Sequence, residues 1–204
     1  LILWSEESES WLARLMREVR EAADREVCCA PALRVHDSEN ELALFAQQLQ
    51  AGETTGQTPS WRGISAETGC WTRLAEEAPS MYRTPWLKMG ARIAEVAQLS
   101  VQGREAKHLQ GGRVRLDNGH GLAWVEMARG VLVHRVELDG ERVARCDVVE
   151  PTEGTFHPQG AVARTRESQK SGSNDHIIAL MTAYDPCVNY RIENQRQRAE
   201  VLHA

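Results

Sequence analysis

Cys187 is the residue of this chain best suited to metal chemistry. It sits in the heptapeptide Tyr184-Asp185-Pro186-Cys187-Val188-Asn189-Tyr190, where the proline ends any helix that precedes it. A cysteine thiolate is a soft ligand that suits nickel, iron or copper(I). The other cysteines, Cys28, Cys29, Cys70 and Cys146, are scattered, and no Cys-x-x-Cys occurs. Adjacent Cys28 and Cys29 do not have a chelating spacing and read as small buried hydrophobes. An odd, scattered set argues against a disulfide framework and for a reducing cytoplasm. The plainer alternative for Cys187 is a structural cysteine at a helix end. Tyr190 could ligate as a phenolate, but a pKa near 10 favours simple packing.

Arg129 is the second residue of interest. It falls among Trp124, Val125, Met127, Val131 and Leu132, an apolar neighbourhood in which a cation needs a partner. Its guanidinium is a fixed fork of donors that stays charged. The bland alternative is a surface cation on a strand. His120, His134 and His157 fall in or near the same region, but no two share an element at chelating spacing, so a zinc site is disfavoured. A Cys–His hydrolase would pair Cys187 with His134 or His157, yet no nucleophile elbow surrounds the cysteine. Trp4, Trp11, Trp61, Trp71, Trp86 and Trp124 are explained by core or interface packing.

The elements that must position these residues are mixed. Glu9 to Glu26 has apolar residues at helical spacing, including Trp11, Leu15, Met16 and Val19. Asn40 is a candidate cap for a second helix reaching Leu49. A third is expected from Ala66 to Glu77, stopped by Pro79, and a fourth from Trp86 to Leu99. Residues 111–150 change period to short strands, and Asp139-Gly140 marks a hairpin between Val131–Leu138 and Arg142–Val149. Asp175 to Tyr184 returns to helix. Residues 51–60 and 159–174, within a longer polar stretch from 151, read as flexible loops. Residues 188–203 read as a polar helical tail. The expectation is one α+β domain over 1–204, mostly helical, with a small antiparallel β element.

The 204 residues suffice for one sizeable core. Hydrophobic content of 42% and charged content of 26% are ordinary for a globular protein. A net charge of −5 gives no support for nucleic-acid binding. No apolar run reaches the roughly 18 residues of a membrane span. The start at Leu1 suggests a chain that begins inside a longer one.

Residues 65–193 resemble the large subunit of nickel–iron hydrogenases, through four anchors in the family's order. Glu67-Thr68-Gly69-Cys70-Trp71-Thr72-Arg73 is similar to Glu-Val-Gly-Pro-Leu-Ala-Arg. Ala128-Arg129-Gly130-Val131-Leu132-Val133-His134 is similar to Pro-Arg-Gly-x-x-x-His. Val149-Glu150-Pro151-Thr152-Glu153, followed by Pro158, is similar to Val-Pro-Thr-Thr-Trp-Asn-x-x-Pro. Asp185-Pro186-Cys187 resembles the Asp-Pro-Cys-x-x-Cys box, with Tyr190 in place of the second cysteine. Each anchor alone is weak; four in one order argue for kinship.

The resemblance implies a site. Arg129 would lie over the cyanide and carbonyl ligands of an iron, Thr152 would donate to a cyanide, and Pro151 would be a further cofactor-binding residue. Asp185 would hold Arg129 by a charge-assisted pair. Cys187 would be the metal thiolate, with Tyr190, His134 and Glu67 as further candidates. Departures matter equally. Three of the family's four ligating cysteines are absent, Ala128 replaces a proline, Gly154 replaces a tryptophan, and Glu193 replaces a histidine. Hydrogen turnover is therefore not expected. The pattern resembles the HupK/HoxV-type accessory proteins, which implies a non-catalytic scaffold or carrier. It would hold an Fe(CN)2CO unit or nickel–iron centre transiently. Its partners would be maturation chaperones, cofactor-assembly proteins and the apo large subunit. Two alternatives stay open: a metal-free docking protein that binds chaperones or a small subunit, and a large-subunit fragment.

Overall fold

The computed structural model describes residues 2–33, 38–74, 82–101, 109–116, 119–168 and 173–193. Short helices α1 (Ile2–Glu7), α2 (Trp11–Glu18) and α3 (Arg20–Ala23) open the chain, followed by α4 (Glu39–Ala51), α5 (Cys70–Leu74) and α6 (Pro85–Leu99). Strands β1 (Gly111–Arg115), β2 (His120–Met127), β3 (Gly130–Asp139) and β4 (Arg142–Val149) form an antiparallel meander in the order β1-β2-β3-β4. Helices α7 (Pro151–Thr155), α8 (Ala161–Ser168) and α9 (Asn174–Tyr184) complete the described chain. The α+β class and the sheet are as expected from the sequence. Gly140, at φ 61°, makes the β3–β4 turn.

One face of the sheet is covered by α4. Leu42, Phe45, Ala46 and Leu49 pack against Leu122, Trp124, Val131, Val133 and Val149. The period-two pattern of the strands and the helical spacing of α4 therefore meet in one layer. A second cluster joins α5, α6, α8 and α9 through Cys70, Trp71, Ala91, Ala161, Leu180 and Tyr184. A third packs Met16, Ala23, Trp86 and Ala179. Of the tryptophans, Trp71 and Trp86 are core residues and Trp124 is a strand residue facing α4, but Trp11 is 70% exposed.

Several local expectations need correction. The N-terminal helix is split at Val19, because α3 turns to pack on α9, where His176 Nδ1 donates to Ala22 O at 3.0 Å. The α4 cap is Ser38, not Asn40; its hydroxyl accepts from Glu41 N–H at 3.2 Å, and Glu41 is the N3 acid of a Ser-x-x-Glu box. The third helix covers only Cys70–Leu74; residues 75–81 lie outside the described residues. Its expected first turn is extended instead, since Glu67 N–H donates to Pro31 O and Glu67 O accepts from Leu33 N–H, each at 2.8 Å. Residues 151–168 are not a loop: α7 and α8 lie there, with Thr152, Ala161 and Thr165 buried. Tertiary burial outweighs the weak local signal. Residues 52–60 carry no helix. Residues 188–193 are not helical, because Asp185 and Pro186 end α9; residues 194–204 lie outside the described residues.

Candidate functional site

The C-terminal end of α9 gathers the residues of interest. Asp185 caps the helix in the left-handed region, at φ 49°, and its N–H donates to Met181 O at 2.8 Å. An aspartate tolerates this conformation better than most side chains. The cap turns the carboxylate back towards the β2–β3 hairpin. There Arg129 occupies the two-residue turn between Met127 and Gly130. Arg129 Nε lies 2.9 Å from Asp185 Oδ2 and also donates to Asp185 O at 3.1 Å; Nη2 donates to Oδ1 at 3.5 Å. The pair expected from the resemblance is thus present, on a turn and not within a strand. Its side chains are 42% and 40% exposed, so alone it is worth at most about 1 kcal/mol.

Arg92, on α6, was not anticipated. Its Nη1 lies 3.6 Å from Asp185 Oδ2 and donates to Thr182 O at 3.3 Å. One carboxylate is therefore shared by two guanidiniums. Arg92 Nε and Nη2 are buried and have no hydrogen-bond partner among the described residues. Buried donors left unpaired are costly, so this corner suits an anionic acceptor.

Cys187 follows Asp185 and Pro186 and is exposed. Thr152 Oγ1 is 3.3 Å from its Sγ, and the thiol donates to Glu150 Oε2 at 3.3 Å. Thr152 is buried, in the first turn of α7, whose first residue is Pro151. Proline is well suited there because its missing N–H would be unbonded anyway. Helix α7 docks through Gly154: a Cβ would stand 2.3 Å from Ala66 O, and Ser65 Oγ donates to Gly154 O at 2.8 Å. The departure from the family's tryptophan thus has a steric reason. Glu153 is shifted up by burial and then by the charge of Glu150.

Glu67 is not at this site. It is buried with Lys88, which ion-pairs with it, and accepts from Trp71 Nε1 at 2.5 Å and Tyr184 OH at 3.4 Å. Lys88 Nζ sits 4.3 Å from the Trp71 ring centroid and 5.0 Å from that of Tyr184. Burial, then the charge of Glu67, holds the Tyr184 phenol well above its usual range. The cluster anchors Tyr184, the residue before Asp185. His134 lies on the sheet face away from α4, in a groove of about 550 Å³ with Arg113 and Val136. Tyr190 is 47% exposed, in a groove of about 360 Å³ with Leu180, Met181 and Arg166. Neither has a hydrogen bond to Cys187, Thr152, Arg129 or Asp185 among the described residues. Cys70 is fully buried and its thiol is pushed up to about 11, first by burial and then by Glu95, so it is no substitute thiolate.

Glu150 and Arg92 are the residues that sequence reasoning missed. Glu150 was legible as a carboxylate inserted before Pro151-Thr152. Arg92 was legible as a cation one turn beyond Lys88 on α6. Among the described residues, no cluster of three or more His, Cys, Asp and Glu is placed to hold a metal ion.

No family model matches the chain. It is 34% identical over 220 aligned residues to the hydrogenase expression/formation protein HoxV of Cupriavidus necator, an alignment covering 100% of the chain and 57% of that protein. It is 36% identical to HupK of Bradyrhizobium diazoefficiens, over 76% of the chain and 46% of that protein. HupK of Rhizobium leguminosarum bv. viciae is 33% identical, over 70% and 41%. Both HupK proteins carry the same expression/formation description. The relatives thus define a class, the hydrogenase expression/formation proteins. Within it, the chain belongs to the HupK/HoxV type. It spans about half the length of the curated relatives it matches.

Proposed function

We propose that this protein is a non-catalytic scaffold that carries an Fe(CN)2CO unit, or a nickel–iron centre, during maturation of a nickel–iron hydrogenase. Its relatives are described as hydrogenase expression/formation proteins, which supports an accessory role. The observation that carries the finer reading is that Asp185 and Cys187, two positions apart at the end of α9, each hold a partner that the resemblance names: Arg129 and Thr152.

Cyanide ligands are anionic acceptors, and burying them requires donors. Arg129, Arg92 and the Thr152 hydroxyl are such donors. Two guanidiniums against the one Asp185 carboxylate leave donors to spare for the cyanide nitrogens of a guest. Cys187 offers one soft sulfur to iron. A single thiolate holds more loosely than four, and loose tenure suits a carrier that hands its cargo to the apo large subunit. Maturation chaperones and cofactor-assembly proteins would be the donors.

A second reading has its own observation. The sheet face away from α4 exposes Val125, Met127, Leu138, Val143 and Val148, an apolar surface that suits a metal-free docking protein. The two readings separate in cells. Hydrogenase maturation is measured in a strain lacking the protein and supplied with wild type or variant. The carrier reading predicts that Cys187→Ala fails to restore it at equal protein level. Full restoration by Cys187→Ala would refute the carrier reading.

A further inference from the structure

Glu150 stands out as a carboxylate that the family pattern Val-Pro-Thr-Thr lacks. It is the residue before α7, in extended conformation at φ −79° and ψ 150°, and its side chain makes no capping bond to that helix. Glutamate is not among the side chains that cap a helix start well, so its carboxylate is free for another partner. Here the carboxylate turns to the Cys187 thiol, 3.3 Å away. We propose that Glu150 is the second protein ligand of the carried iron, beside Cys187. This inference rests on the carrier reading and assigns a residue to it.

The distance fits. A metal–thiolate bond of roughly 2.3 Å and a metal–carboxylate bond of roughly 2.1 Å, at a right angle, separate sulfur from oxygen by about 3.1 Å. The observed 3.3 Å needs almost no movement. The charges fit as well. A thiolate and a carboxylate at this range repel unless a positive charge lies between them. In the empty protein the thiol proton fills that place. On loading, Fe–Sγ and Fe–Oε2 bonds form, the thiol proton leaves to water, and the iron gives up two weakly held ligands. No electron is transferred.

The donor count then defines the guest. Two anionic atoms are too few to hold a bare aqueous dication against its hydration shell, and no third carboxylate, histidine or cysteine completes a cluster among the described residues. An iron that already carries three diatomic ligands needs only a few more. The pair thus suits an iron unit with its own ligands and rejects free metal ions. A hard oxygen beside a soft sulfur also holds low-spin iron less firmly than a second thiolate, which favours release.

The test is the conservative variant Glu150→Gln, which keeps the shape and the hydrogen-bond acceptor but loses the charge. Wild type and variant are purified without oxygen from cells expressing the maturation machinery, and compared by infrared spectroscopy, iron content and melting temperature. The carbonyl band of the variant should move to higher wavenumber, because a neutral ligand donates less electron density to iron. Iron retained after desalting should fall about tenfold or more, at least as far as losing a partner of a metal ligand weakens a site. The melting temperature should hold. Identical band positions and iron content in both proteins overturn the role of Glu150 and leave the carrier reading standing. Absence of bands in the wild type overturns the carrier reading itself, and the Glu150 assignment with it.

Discussion

Lys88→Met tests the claim that a buried ion pair fixes the end of α9. The Lys88 side chain is 1% exposed and that of Glu67 3%. Methionine keeps most of the stem and removes the charge. Deleting one partner of a buried pair costs about 3–5 kcal/mol, because the other charge stays behind without compensation. Glu67 retains the Trp71 indole, the Tyr184 hydroxyl and the Ala30 amide as donors, so the lower end, about 3 kcal/mol, is expected. In a domain of this size each kcal/mol moves the midpoint by about 2–4 °C, giving a fall of about 6–12 °C in a thermal melt. The double variant Lys88→Met with Glu67→Gln removes both charges and should recover more than half of the loss. A single variant melting within about 2 °C of wild type would refute the reasoning. So would a double variant whose losses simply add.

Two further predictions concern the same scaffold. Gly130, at φ 130°, lies where a Cβ would stand 2.5 Å from Thr68 Oγ1, the acceptor of the Val131 N–H at 2.8 Å. Gly130→Ala should cost about 1–3 kcal/mol in denaturant unfolding, and an unchanged midpoint would contradict that. The Cys70 thiol is raised in the folded state from 9.0 to about 11. Its neutral form is therefore favoured by folding: this contribution is intact below pH 9 and is lost as pH rises towards 11. A rise of that size corresponds to roughly 3 kcal/mol. Stability measured from pH 8 to 11 should decline, and Cys70→Ala should flatten the decline. Tyr184, raised in the same direction, adds a further loss above pH 10.

The sheet, its Asp139-Gly140 turn and helices α6 and α9 were legible because alternation, a turn dipeptide and apolar spacing each act locally. The Arg129–Asp185 pair was legible only through motif order, since its members are 56 positions apart. The helicity of Ala161–Ser168 was hidden, because burial of Ala161 and Thr165 under distant residues, including Cys28, supports it. The role of Glu67 was misplaced for the opposite reason. Its motif suggested the site, but Lys88, Trp71 and Tyr184 draw it into the core. Glu150 was in plain view in its motif, yet only the fold of the Asp-Pro turn brings it to Cys187.

On the proposed function, Cys187 and its neighbours hold an iron unit with cyanide and carbonyl ligands. Infrared spectra of the anaerobically purified protein in the window where those ligands absorb, and protein does not, test it most directly. A carrier shows cyanide and carbonyl bands in the wild type that vanish in Cys187→Ala while the fold persists. A well-folded wild type with a silent spectrum, or bands that survive the loss of Cys187, would contradict it.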